Sequence, residues 1–177
     1  MYYTFCDLHA AIQDAFGWSE AHLHGFVFGD LRRGTDRHIG TPMPEDPPEG
    51  EMLPEWKERI ADWFTNPGTK CVYTYDFGDT WEHAVALERI IQREKGVKCP
   101  RCTGGKRSCP PEDCGGPWGY KDFLAAIQDP KHPEHEDMKG WVGRDFDPEA
   151  FDAKKINFTD PEERLAQMQE MRKLMSF

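Results

Sequence analysis

The chain has 177 residues, with 22 lysines and arginines against 32 aspartates and glutamates and a formal charge of -10. That length suits one domain with its own core and argues against two independent ones, and 38% apolar content with six Trp, eleven Phe and five Tyr rules out a disordered composition. The acidic excess opposes binding a phosphate backbone through bulk charge, so a nucleic-acid role would need a local basic patch.

No stretch approaches the roughly 20 apolar residues that cross a bilayer. The start, MYYTFCDLHAAIQ, lacks the basic and apolar regions of a secretion signal. The expected location is cytoplasmic, without a membrane partner.

Residues 4–16 place Phe5, Leu8, Ile12 and Phe16 at helical spacing, with Thr4 as cap, Asp7 three positions on and Gly17 as the stop. The spacing predicts a helix. Residues 22–29, HLHGFVFG, read as a strand with His22, His24, Phe26 and Phe28 on one face and Leu23 and Val27 on the other. Residues 30–50 are charged and proline-rich without a period, which predicts a long surface loop. A second helix is expected over 53–64, with Pro54 in its first turn and Trp56, Ile60, Trp63 and Phe64 on one side. After the break at Asn66-Pro67-Gly68, two alternating runs flank Gly78-Asp79, predicting a hairpin with a two-residue turn. Further helices are expected over 120–128, 134–141, 148–155 and from Pro161 to about residue 175. The expected fold is α+β: a single domain over 1–177, with an antiparallel sheet, a central hairpin, packed helices and a Cys-rich loop.

That loop, CPRCTGGKRSCPPEDCGG, holds Cys99, Cys102, Cys109 and Cys114, four of the six cysteines. A Cys-x-x-Cys pair presents two thiolates to one metal, two further cysteines close by can complete a tetrahedron, and four sulfurs favour zinc. A reducing compartment favours metal over disulfides. The spacing therefore points to one structural zinc per chain, a staple rather than a catalytic centre because a closed site leaves no position for water. Two disulfides, a redox Cys-x-x-Cys, unliganded thiols and a set without Cys99 remain open.

With a two-residue turn, Asp76 lies opposite Trp81 and His83 falls diagonal to Asp76 on the same face. Asp76, Asp79, His83, His22 and His24 are thus the candidate polar site, competing with the plainer reading of turn-capping aspartates and a half-buried histidine. Residues 132–137, HPEHED, lack the order that sets two histidines one helical turn apart around a base, and read as a solvated helix start. Lys95, Lys98, Arg101, Lys106 and Arg107 form the one basic stretch.

YTYDFGDTWEHAVALERI, followed by CPPEDCGGPWGYKDFLAAIQDPKHPEHEDMKGWVGRDFDPEAFD, resembles the plasmid pRiA4b Orf-three-like family, also labelled a transposon passenger protein of TnpR type. The resemblance covers almost the whole chain, from LHAAIQDAFGW and HLHGF to FDPEAFDAKKIN. It implies an α+β domain of bacteria and archaea, often carried on plasmids or mobile elements, without an established activity. Family members usually begin with a further strand and a Trp-Arg-Arg stretch before the Leu-His helix. The chain is therefore expected to be short at its N-terminus, leaving a sheet edge open to self-association or a partner strand.

These readings converge on a zinc-stabilised interaction domain with an unidentified protein partner. The alternatives are a nucleic-acid-associated accessory factor using Lys98, Arg101, Lys106 and Arg107, against which the net charge stands, and a metal-dependent enzyme at the Asp76/His83 face. An acidic surface mimicking nucleic acid toward a basic partner is a fourth.

Overall fold

The structure, a computed structural model, describes residues 2–29, 36–43, 52–92, 95–143, 145–161, 163, 164 and 166. The chain starts with α1 (Phe5–Phe16), whose first turn is closed by the reciprocal Thr4–Asp7 capping box and whose end is turned by Gly17 in the left-handed conformation. Five strands follow: β1 (His24–Phe28), β2 (Arg37–Gly40), β3 (Leu53–Pro54), β4 (Lys70–Tyr75) and β5 (Trp81–Ala86). A one-turn helix, α2 (Ile60–Trp63), precedes β4, and α3 (Gly116–Gln128) and α4 (His135–Val142) come after β5.

The strand order is β3-β2-β1-β4-β5. The fold is α+β as expected, but the sheet is mixed, because β3 runs parallel to β2 while all other pairs are antiparallel. The β4–β5 hairpin lies at one edge rather than in the centre, with β5 outermost. α1 covers one face. Phe5 meets Phe26 edge-on with ring centroids 5.0 Å apart, and Phe26 meets Tyr73 at 4.8 Å, so the core is an aromatic cluster between helix and sheet.

The hairpin register departs from the expectation by one residue. Tyr75 pairs with Trp81 and Tyr73 with His83, so the connection is the five-residue loop 76–80. A slip of one residue flips every side chain. His83 and Val85 therefore share the core face with Cys71, Tyr73 and Tyr75, not the outer face with Val72 and Thr74. The cause is local: Asp76 and Thr80 both sit at positive φ, 55° and 57°, widening the loop beyond a two-residue turn.

Three other segments differ. β2 lies within the region read as loop, since its burial comes from pairing with β1 and only Ile39 is apolar. The helix expected over 53–64 is reduced to α2, because the Phe5 amide bonds to the Glu58 carbonyl and the Ile60 amide to the Tyr3 carbonyl. That pairing takes the backbone out of the helix. Of the helix expected over 148–155 there is a single 3-10 turn, Ala153–Lys155. Most of the helix expected after Pro161 lies outside the described residues, although 161, 163, 164 and 166 are helical.

A polar network interrupts the aromatic core. The rings of His9 and His24 stack with centroids 3.3 Å apart, His9 Nδ1 lies 2.8 Å from the Tyr73 hydroxyl, and Gln13 Nε2 donates to the same oxygen at 3.0 Å. His24 Nε2 contacts Glu55 Oε2 at 2.5 Å, and the Thr41 hydroxyl donates to Glu55 Oε1. The network joins α1, β1, β4 and the segment after β3. Burial, with His24 and Arg164 nearby, pushes the His9 imidazole down to about 2.

Candidate functional site

At the turn end of the hairpin, the loop 76–80 is overlaid by the segment Pro110-Pro111-Glu112-Asp113-Cys114-Gly115-Gly116. Five hydrogen bonds anchor this segment to the hairpin and to the connection between α1 and β1. The Trp18 indole N–H donates to the Pro110 carbonyl at 2.9 Å. Glu112 accepts from the Ser19 amide and hydroxyl on Oε2, at 2.9 and 2.6 Å, and from the Tyr75 hydroxyl on Oε1 at 2.5 Å. Burial, reinforced by the Glu112 carboxylate, pushes the Tyr75 phenol up, so it stays a donor. The Gly115 amide donates to Asp79 Oδ2 at 3.1 Å.

Close approach completes the seat. Gly116 is buried at φ 67°, and a Cβ there would stand 2.4 Å from the Asp79 carbonyl oxygen. At Gly119 a Cβ would stand 2.0 Å from the Cys114 carbonyl oxygen. Gly116 and Gly119 are thus what lets α3 begin against the hairpin.

His22, just before β1, sits between two aspartates. Its Nδ1 is 3.7 Å from Asp76 Oδ2 and its Nε2 is 2.9 Å from Asp113 Oδ1. The second contact meets the distance but not the direction of a hydrogen bond, and that nitrogen is shielded from water with no aligned partner. Asp76 Oδ1 is occupied by the Gly78 and Asp79 amides, at 2.9 and 3.3 Å, which leaves Oδ2 for the histidine. Asp113 is 70% exposed and, like Asp76, left-handed, at φ 58°.

Beyond Asp113 opens a cavity of about 300 Å³ lined by Asp122, Glu134, Phe123, Met138 and Trp141, with Cys114 and Gly119 at its base. The Cys114 thiol is pushed up to about 11 by burial and by Asp79 and Asp113. It is a protonated, weak nucleophile. The corner as a whole offers carboxylate oxygens and one imidazole, a donor set for cations.

Of the residues singled out from sequence, His22, Asp76 and Asp79 meet here. His24 does not: it is buried in the core network with Glu55. His83 lies on the core face beside Phe16, Trp18 and Tyr73, so it cannot join Asp76. Glu112 and Asp113 were missed; the signal was a pair of adjacent carboxylates framed by Pro-Pro and Gly-Gly.

Among the described residues, which include all six cysteines, there is no disulfide. Among the described residues, the one group of three metal-ligating residues whose donor atoms all lie within 4.8 Å of one another is His22, Asp76 and Asp113. The four cysteines of the loop line three cavities. Cys99 lines an apolar cavity with Tyr3 and Leu8, Cys102 and Cys109 line a second cavity, and Cys114 lines the acidic one. In the basic stretch, Lys98, Arg101 and Lys106 are exposed, and Arg107 pairs with Glu149 at 3.2 Å.

No helix among the described residues is long and apolar enough to cross a membrane. The chain is 34% identical over 151 residues to the uncharacterised protein y4hQ of Sinorhizobium fredii, covering 85% of this chain and 74% of that protein. It is similar to the crystal structure of MM3350, a protein of unknown function from Methanosarcina mazei, with 43% identity and a TM-score of 0.76 over 89% of this chain and 85% of the other. The family model for the plasmid pRiA4b ORF-3-like protein matches residues 1–155, and the chain belongs to that family.

Proposed function

We propose that this protein is a binding domain whose working surface is the acidic corner beside the hairpin, and that the cavity takes a lysine or arginine side chain of a protein partner. The observation that carries this is the composition of the cavity. Asp113, Asp122 and Glu134 supply negative charge, while Phe123, Met138 and Trp141 supply an apolar wall. A long basic side chain needs both, its alkyl stem against apolar surface and its charged head among carboxylates or over an aromatic face. Trp141 is 46% exposed, and Trp118, in the first turn of α3, is 80% exposed. Exposed tryptophans are frequent anchors at interfaces.

The test is calorimetric titration with an acetylated lysine octapeptide at low and high salt. Exposed carboxylates contribute about 0.5–1 kcal/mol each. The paired changes Asp122→Asn and Glu134→Gln are therefore expected to weaken binding by about tenfold. Unchanged affinity in that variant sinks the reading.

Zinc bound by Cys99, Cys102, Cys109 and Cys114 is a second reading. Its support is the spacing, together with the shared cavity of Cys102 and Cys109 and the influence of both Cys109 and Cys114 on the Tyr120 hydroxyl. Metal content with thiol titration before and after chelation tests it: one zinc per chain with thiols freed on chelation supports it, and four freely titrating thiols without metal end it. Nucleic-acid binding through Lys98, Arg101, Lys106 and Arg107 draws on their exposure, and the absence of any gel shift at low salt would remove it.

A further inference from the structure

We propose that His22, Asp76 and Asp113 bind a first-row divalent cation at the lip of the acidic corner. The inference deepens the preceding reading and rests on that corner being the binding surface. Three independent chain segments supply the ligands: the stretch before β1, the hairpin loop and the segment leading into α3.

The four carboxylates around the hairpin loop, Asp76, Asp79, Glu112 and Asp113, divide into two kinds. Glu112 accepts three hydrogen bonds from Ser19 and Tyr75, and Asp79 accepts one from the Gly115 amide, so both serve as positioning groups. Asp76 Oδ2 and Asp113 Oδ1 face the His22 ring instead, and no lysine or arginine ion pair reaches them among the described residues. His22 Nε2 is removed from water and has no aligned hydrogen-bond partner. A buried ring nitrogen without a partner is costly, and a cation shared with the two carboxylate oxygens satisfies all three groups at once.

The donor set selects the ion. One imidazole nitrogen with carboxylate oxygens suits manganese, iron, nickel or zinc, whereas calcium and magnesium prefer all-oxygen cages and soft ions prefer thiolates. Only three protein ligands converge, and Asp113 is largely exposed. Water or a group from the partner completes the coordination shell. Glu112 and Asp79 act through their backbone and side-chain contacts to hold Asp113 and Asp76 in place, the outer-shell role that metal sites require.

The experiment uses chelator-treated full-length protein and manganese, which thiolates bind poorly, so that the cysteines do not compete. Calorimetric titration is expected to give one manganese per chain. His22→Gln and Asp113→Asn each weaken it roughly tenfold or more, since even outer-shell losses cost that much. Asp137→Asn, on α4 and outside the trio, leaves it unchanged. Circular dichroism confirms folding, and the exposed Asp113 makes its variant the safer probe.

Absence of binding at millimolar manganese, or equal affinity in the Asp113 variant, overturns the proposal. The lysine-peptide titration separates the two readings. If manganese fails while peptide binding persists and still depends on Glu134, the cation site falls and the basic-side-chain reading stands. If both fail, the corner is not a binding surface.

Discussion

Gly116→Ala tests whether the segment 110–116 is seated on the hairpin as described, and Gly143→Ala provides its control. Both glycines are left-handed, at φ 67° and 64°, and an L side chain in that region costs about 1–2 kcal/mol. They differ in their surroundings. Nothing lies within 4 Å of a Cβ built on Gly143, whereas one on Gly116 would sit 2.4 Å from the Asp79 carbonyl oxygen and 3.4 Å from its Cα. Backbone cannot swing aside as a flexible side chain does, so overpacking adds about 1–3 kcal/mol. The expected losses are therefore about 1–2 kcal/mol for Gly143→Ala and about 2–5 kcal/mol for Gly116→Ala. Urea denaturation with an unchanged slope reads both values. Displacing Gly116 also draws Asp113 away from His22, so manganese affinity falls in that variant and not in the other. Equal destabilisation by the two changes refutes the close seating of this segment.

The core network makes two further predictions. Tyr73→Phe removes the oxygen shared by His9 Nδ1 and Gln13 Nε2. Leaving them unsatisfied costs about 1–3 kcal/mol each, so a denaturation shift under about 0.5 kcal/mol contradicts the network. The second concerns pH. Burial lowers both His9, to about 2, and His83, while the unfolded chain takes up their protons near pH 6.5. The unfolded state thus binds more protons below that pH, so stability is full above it and falls on acidification toward the folded value. The slope is at most about 1.4 kcal/mol per pH unit for each histidine. Thermal or urea unfolding between pH 7.5 and 5 should show this slope, and His9→Gln should flatten it; a flat profile for the unmodified protein would falsify the neutral-histidine account.

Local chemistry was the legible part of the sequence. The Thr4–Asp7 box and Gly17 delimit α1, and Gly143 ends α4, because caps and left-handed glycines act within a few residues. What depended on distant partners was not legible. Arg37–Gly40 carries one buried aliphatic side chain and becomes a strand only through β1. Residues 58 and 59 leave the helical pattern because Tyr3 and Phe5 claim the backbone of Ile60 and Glu58. The hairpin was recognisable, but its register turned on Asp76 and Thr80 adopting positive φ, and that single residue moved His83 from the expected site into the core. The site followed the same rule. Asp76, Asp79 and His22 stood out by type, while Glu112 and Asp113 required the knowledge that residues 110–116 fold back onto the hairpin, a contact between segments more than thirty positions apart.

The most direct measurement of the central claim is an amide and indole NMR titration of the full-length protein with the lysine octapeptide. The account predicts saturable shifts confined to the Trp141 indole N–H and the amides of Asp113, Cys114, Gly119 and Glu134, lost at high salt because exposed charges are screened. Shifts centred instead on Cys99 to Arg107, or no saturable shift at low salt, would contradict it.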